Sequence, residues 1–355
     1  MTKQPILTRT SVFITTLGGI LIVLGGEMSI ASTFAPSPIY AEARSYMTTI
    51  PTTGSQTGFD EADIYFPVAD DPTINFPIAL MLQGALVEGL DYSNFASEVA
   101  RYGFAVVVPS HERTLFGPMG PITGFFPDAE LVTDVLDFMK VENLNDLSPI
   151  EGKVDTTKMG LLGHSFGAAV GMTAIDGNCF PILCNGSYTR PPELIAGIFY
   201  GANTFNSLTQ QFIPIDNQGI PIGLIAGDRD GVALLPTTLG TYSQIQAPPK
   251  ILVTVQGANH YGITDEDSLR DPIRPASDLE QSVATETIAR WSALFLQAHV
   301  QDNVGAFDYV YNTGDAQDEK VKVVSTEVPE PSAILGTLIL GIGSAVLRLR
   351  NQKKN

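Results

Sequence analysis

Three residue types, far apart along the chain, have the makings of a nucleophile with its base and acid. Gly163-His164-Ser165-Phe166-Gly167 sets a serine between two glycines, directly after the apolar run Met159 to Leu162 and directly before Ala168-Ala169-Val170-Gly171. A sharp strand-to-helix turn needs that context, since flanking glycines leave room for a strained serine backbone and an exposed hydroxyl. The competing reading, a serine capping a helix in a dinucleotide-binding turn, calls for a G-x-G-x-x-G spacing that is not there. A serine hydroxyl is a poor nucleophile near neutral pH, so a base must take its proton as it attacks, and imidazole, with an ordinary pKa of roughly 6.5, suits the task. The chain has 4 histidines. His164 lies inside the turn, where its side chain points away from the serine; His299 closes a helical stretch, where a capping or surface role explains it; His111 precedes Ser165. His260, in Gly257-Ala258-Asn259-His260-Tyr261-Gly262, follows the run Ile251 to Val255 and completes the chain order serine, acid, histidine.

The acid has to accept a hydrogen bond from the second ring nitrogen, fixing the tautomer and stabilising the imidazolium that forms. Its expected place is the loop after Ile220 to Ala226, which reads Gly227-Asp228-Arg229-Asp230-Gly231-Val232. Two carboxylates compete there. Asp230 is preferred because Asp228 follows the strand so closely that it would brace the turn or pair with Arg229. A tetrahedral intermediate also needs donors for its oxyanion. The backbone N–H of Phe166, next after the serine, is one; Ala85, in Gln83-Gly84-Ala85-Leu86, is the expected second.

The elements that must position these groups follow from patterning. From about residue 60, short apolar runs alternate with amphipathic stretches, as in an α/β protein whose mostly parallel central sheet is flanked by helices on both faces. Expected strands are Ala62 to Phe66, Pro77 to Leu82, Phe104 to Val108, Met159 to Leu162, Leu194 to Tyr200, Ile220 to Ala226 and Ile251 to Val255. Tyr92 to Tyr102 and Asp128 to Lys140 read as helices, the second with Leu131, Val135 and Phe138 on one face. A last helix from Asp278 to about His299 is expected to start on the capping box Ser277-x-x-Glu280. No internal repeat is visible. With 355 residues, one large domain over 59–312 is the simplest organisation. Residues 32–58 and 313–327, rich in Pro, Ser, Thr or charge, read as poorly ordered linkers.

These motifs together resemble the α/β-hydrolase superfamily, in the branch that holds dienelactone hydrolases, chlorophyllases, polyester hydrolases and platelet-activating-factor acetylhydrolase-like esterases. The resemblance covers about residues 60 to 300 and rests on Leu82-Gln83-Gly84, Ala100-Arg101-Tyr102-Gly103-Phe104-Ala105-Val106-Val107-Val108-Pro109, the Ser165 turn, the Asp230 loop and Asn259-His260. It implies an α/β-hydrolase fold and carboxylic ester hydrolysis through an acyl-enzyme, with no metal or organic cofactor. The chain departs from the family in having Gln83 where many relatives have His or Pro, and in the cysteine-bearing insertion Gly177 to Pro192, so substrate identity does not transfer. Leu115 to Phe126, apolar and rich in Gly and Pro, reads equally as a pocket wall and as a loop packed on the core. Rival readings are an acyltransferase or amidase sharing the triad, and a non-catalytic surface or matrix protein that keeps the fold.

Composition narrows the partners. Lys and Arg number 20 against 38 Asp and Glu, for a formal charge of −18, and the basic residues of the two termini make the body between them more negative still. Such a surface repels phosphate backbones, which excludes nucleic acid as the expected partner and favours neutral or hydrophobic esters. Residues 1–31 have the order of a secretory signal: Lys3 and Arg9, the uncharged run Val12 to Leu24, and Ser29-Ile30-Ala31 before the cleavage point. Glu27 in the approach leaves an uncleaved anchor as the alternative. Residues 328–355 read Val328-Pro329-Glu330-Pro331-Ser332, an uncharged run Ala333 to Leu347, then Arg348, Arg350, Lys353 and Lys354. That order resembles the PEP-CTERM sorting tail of exported bacterial proteins, which implies recognition by a membrane sorting protease; an ordinary tail anchor is the alternative, although the run is shorter than the ~18 to 20 residues that span a bilayer easily. Either way the body is expected outside the cytoplasm. There the 2 cysteines, Cys179 and Cys184, are free to close a small loop, since no second cysteine pair or nearby histidine suggests zinc.

Overall fold

The computed structural model describes residues 36–117, 120–186, 188–207, 209–268 and 277–326. The expected leader and sorting tail lie outside the described residues. The chain forms β1 (Ala43–Pro51), β2 (Phe59–Pro67), β3 (Phe76–Leu82), α1 (Ser93–Arg101), β4 (Ala105–Pro109), β5 (Glu112–Gly117), β6 (Gly120–Phe125), α2 (Leu131–Glu142), β7 (Val154–His164) and α3 (Phe166–Asp176). It continues with β8 (Leu194–Tyr200), the short pair β9 (Phe205–Asn206) and β10 (Gln211–Phe212), β11 (Ile222–Gly227), α4 (Leu235–Gln244), β12 (Lys250–Val255), α5 (Gln281–Val300), α6 (Val304–Asp308) and β13 (Val321–Thr326).

Nine strands make one sheet in the order β1-β2-β4-β3-β7-β8-β11-β12-β13. The run from β4 to β12 is parallel throughout, and antiparallel strands border it: β1 and β2 on one side, β13 on the other. The central strands FPIALML of β3 and IGLIAG of β11 are buried along their whole length, as strands covered on both faces must be. One layer of core joins α1 and α5 to the sheet through Phe95, Val99, Trp291 and Phe295; the other joins α2 and α3 through Leu131, Val135, Val170 and Ile175. This is the expected α/β architecture of a mostly parallel sheet flanked by helices.

The strand order reverses between β3 and β7: the chain leaves β3 for β4 on one side, then returns past it to β7. The carboxyl ends of strands beside such a reversal open a crevice in which ligands bind. The loops after β3, β7, β8, β11 and β12 all end at that edge.

Several expectations need correction. The stretches 32–58 and 313–327 are not wholly linker, because they supply β1 and β13. Both are edge strands: in each, one residue alone, Ile50 in β1 and Val321 in β13, is buried, so their sequences are polar enough to look unstructured. The last helix begins at Gln281 with Glu280 as its N-cap; Ser277 instead closes a local turn, accepting from the N–H of Leu279 and donating to the carbonyl of Gly257. In the Leu115 to Phe126 stretch, residues 115–117 and 120–125 belong to the antiparallel pair β5 and β6, Phe116 is 79% exposed, and Phe126, just after β6, is buried and packs edge-on against Phe166. Among the described residues, no helix is long and apolar enough to cross a membrane.

Candidate active site

β7 ends at His164 and α3 starts at Phe166, so Ser165 alone makes the turn between them. Its φ of 54° and ψ of −112° lie where side-chain-bearing residues seldom go, a strain that the surroundings have to hold. They do so in two ways. The N–H of Ser165 donates to the carbonyl of Tyr200 at 2.9 Å, tying the turn to β8. Gly167 lets the first turn of α3 settle on the end of β3, since a Cβ there would fall 2.1 Å from the Leu82 carbonyl oxygen.

The half-buried Ser165 hydroxyl lies 2.9 Å from Nε2 of His260, and Nδ1 of His260 lies 2.8 Å from Oδ2 of Asp230. Since the carboxylate accepts, Nδ1 carries the proton and Nε2 presents its lone pair to the serine hydroxyl. Asp230 is buried and held on its other oxygen, where Oδ1 accepts the N–H groups of Val232 at 2.8 Å and Ala233 at 2.6 Å. Asp228 faces elsewhere. It braces the turn, accepting from the N–H of Gly257 at 2.7 Å, while Arg229 pairs with Asp278. The three residues expected to act together therefore meet, and Asp230 is the carboxylate that faces the imidazole.

The backbone N–H groups of Phe166 and Ala85 have no hydrogen-bond acceptor among the described residues, whereas the N–H of neighbouring Gly84 is occupied by the Tyr92 hydroxyl at 2.8 Å. Buried Gln83, with its amide oriented so that both ends are satisfied, donates to the Pro109 carbonyl at 2.9 Å and accepts from the His111 N–H at 2.7 Å. That side chain ties the loop after β3 to the loop after β4.

Two supports have no signature in the local residue pattern. Gly201, directly after β8, has a φ of +62° and faces the imidazole; a Cβ there would stand 3.0 Å from Cε1 of His260 and 3.3 Å from Oδ2 of Asp230. Tyr92 and His164 form the other. His164 is fully buried, and its Nε2 lies 2.9 Å from the carbonyl oxygen of His260, which only accepts, so Nε2 carries the proton. Nδ1 then accepts from the Tyr92 hydroxyl at 2.9 Å. Burial, reinforced by the nearby His260, holds His164 well below the usual imidazole range and so keeps it neutral. The result is a chain of hydrogen bonds from the loop carrying Ala85 to the backbone of His260. A Gly-x-Ser-x-Gly motif leaves its second residue open, and nothing in the pattern marks Tyr92 as that residue's partner.

The remaining histidines are engaged elsewhere. His299 is half-buried: it packs among Phe295, Phe307 and Tyr311, hydrogen-bonds the Tyr311 hydroxyl at 2.9 Å, and is lowered to about 4 by burial. His111 is fully buried between two carboxylates, with Nδ1 2.5 Å from Asp60 and Nε2 3.2 Å from Asp128. Burial alone would lower it, but the hydrogen bonds and charges of Asp128 and Asp60 prevail and it is raised to about 9. Cys179 and Cys184 form a disulfide. Glu130 lies beside them, yet sulfurs bonded to each other offer no thiolate to a metal.

Comparison with protein-family models and with curated proteins finds no match to this sequence.

Proposed function

We propose that the chain adopts the α/β-hydrolase fold and is an exported serine hydrolase that cleaves carboxylic esters. One observation carries this reading: the continuous path from the Ser165 hydroxyl through both ring nitrogens of His260 to Asp230, with contacts of 2.9 and 2.8 Å. His260 Nε2 takes the proton of Ser165 as Oγ attacks the ester carbonyl carbon. Asp230 holds the proton on Nδ1 and stabilises the imidazolium. The oxyanion of the tetrahedral intermediate is received by the N–H groups of Phe166 and Ala85, and the positive end of the eleven-residue helix α3 favours the same charge. The imidazolium gives its proton to the departing alkoxide, leaving an acyl group on Ser165. Water, deprotonated by His260, then releases the acid and restores the serine.

Export is supported by the Cys179–Cys184 disulfide, which belongs to an oxidising compartment, together with the signal-like start of the sequence. The sorting protease that the tail resemblance implies is the proposed processing partner.

The test uses short-chain nitrophenyl esters and a fluorophosphonate label. Wild-type protein is expected to hydrolyse the ester and take the label on Ser165, and Ser165→Ala to lose the label together with about 10⁶ of turnover, by analogy with the serine proteases. Labelling that survives the substitution rejects the assignment. Products formed with a competing alcohol or amine separate hydrolysis from acyl transfer.

A further inference from the structure

A cavity of about 280 Å³ lies along α3, starting one helical turn beyond the nucleophile at Ala169. One wall is the face of α3 that continues from the nucleophile: Ala169 is one helical turn beyond Ser165, ~6 Å along the axis, and Met172 follows on the same side. A second wall is the segment after β8, which touches the His260 ring at Gly201 and two residues later reaches the cavity at Asn203, followed by Phe205 and Ile213. The third wall is the disulfide loop, through Phe180 and Leu183. That loop is held in place as well as cross-linked, since the Leu183 carbonyl accepts from the N–H of Ala129 at 2.9 Å and the Ile182 carbonyl from Arg113.

The lining is mainly apolar. Its one carboxylate, Asp176 at the far end, is already engaged: it accepts from the Asp216 N–H at 2.8 Å and from the side chain of Asn178. A charged occupant would therefore find no counter-charge waiting, whereas a hydrocarbon loses little by entering. The volume corresponds to roughly nine water molecules at ~30 Å³ each, more than an acetyl group would fill.

Building on the ester-hydrolase reading, we infer that this cavity receives the straight apolar arm of the ester whose carbonyl is held at Ser165, and that the Cys179–Cys184 loop sets how long that arm is. The favoured substrates are uncharged esters with a chain of several methylenes, and discrimination between chain lengths comes from the inserted loop rather than from the triad.

Two substrate series test this with the full chain: nitrophenyl esters of acids of increasing length, with the alcohol constant, and acetates of alcohols of increasing length, with the acid constant. In one of them kcat/KM is expected to climb about fourfold per methylene (~0.8 kcal/mol each) up to a break where the cavity is full, and the series that climbs identifies which arm enters. Ile213→Trp, which fills the cavity, is expected to move the break to shorter chains and cut the long-to-short ratio at least tenfold. Phe180→Ala combined with Leu183→Ala is expected to move it the other way. Opposed shifts in two folded variants, checked by thermal unfolding, are not what general destabilisation produces. Flat profiles in both series, or a break that neither variant moves, overturn the inference while leaving the hydrolase reading intact. Absence of both ester turnover and fluorophosphonate labelling at every chain length overturns the two together.

Discussion

Two buried histidines in this protein each contact aspartate, and they are prepared for opposite ends. His260 has a carboxylate on one nitrogen and a hydroxyl on the other, so one lone pair remains to accept a proton. His111 has Asp60 on one nitrogen and Asp128 on the other, so both nitrogens donate and the ring is held as an imidazolium, raised to about 9. The surroundings match: the loop after β12 hands its histidine to a half-buried serine, while the loop after β4 buries its histidine completely, with Arg113 3.8 Å from the same Asp128. A histidine beside an aspartate is thus no mark of catalysis in itself. What matters is the group on the second nitrogen.

Substitutions that treat the two rings alike test this contrast. The largest effect is expected from His260→Gln, which removes the proposed base and is expected to lower kcat/KM by up to about 10⁶ while leaving the midpoint of urea unfolding nearly in place. Asp230→Asn is expected to cost about 10⁴ in turnover through the wrong imidazole tautomer, with Asp228→Asn far milder; equal losses would mean that Asp230 has no special relation to the ring. His111→Gln reverses the pattern. It leaves two buried carboxylates without their cation and is expected to cost about 3–5 kcal/mol in denaturant unfolding, with turnover per folded molecule retained.

The same ring predicts a pH dependence. A histidine whose folded pKa of about 9 exceeds its unfolded value near 6.5 stabilises fully below ~6.5, and that contribution is lost as pH rises through 9. Unfolding free energy is expected to fall by roughly 3 kcal/mol over that window in the wild type and to stay flatter in His111→Gln. The smallest effect is expected from Tyr92→Phe, which takes a partner from both the Gly84 N–H and His164 Nδ1. Its cost of about 1–3 kcal/mol should appear partly as reduced kcat, because the loop that carries Ala85 loosens. An unchanged kcat would make Tyr92 purely structural.

Much of this contrast was legible in the sequence, but only on one side. Ser165 and His260 each follow an apolar strand in a Gly-marked turn, so their chemistry and their place at the sheet edge go together, and Asp230 differs from Asp228 by its distance past the strand. The His111 cluster has no such signature. Asp60 comes from β2 and Asp128 from just before α2, and only the folded sheet brings them to one ring. Edge strands escaped for a different reason: β1 and β13 each bury so few side chains that propensity and polarity argue against them. Gly201 and Tyr92 were hidden because what they do is set by distance to a neighbour across the fold rather than by local pattern.

The antiparallel border strand at the far side of the sheet sets a limit on how far the C-terminus can be shortened. Val321–Thr326 covers the otherwise open flank of Lys250–Val255 and is the last described segment of the chain. On the sorting-tail reading proposed above, trimming beyond Thr326 leaves this sheet pairing whole. A cut a few residues earlier would bare the backbone N–H and C=O groups of the strand leading to His260, a ready template for sticking to other chains. Truncation therefore has a boundary set by sheet pairing, and protein whose C-terminus ends upstream of it is expected to accumulate as aggregate.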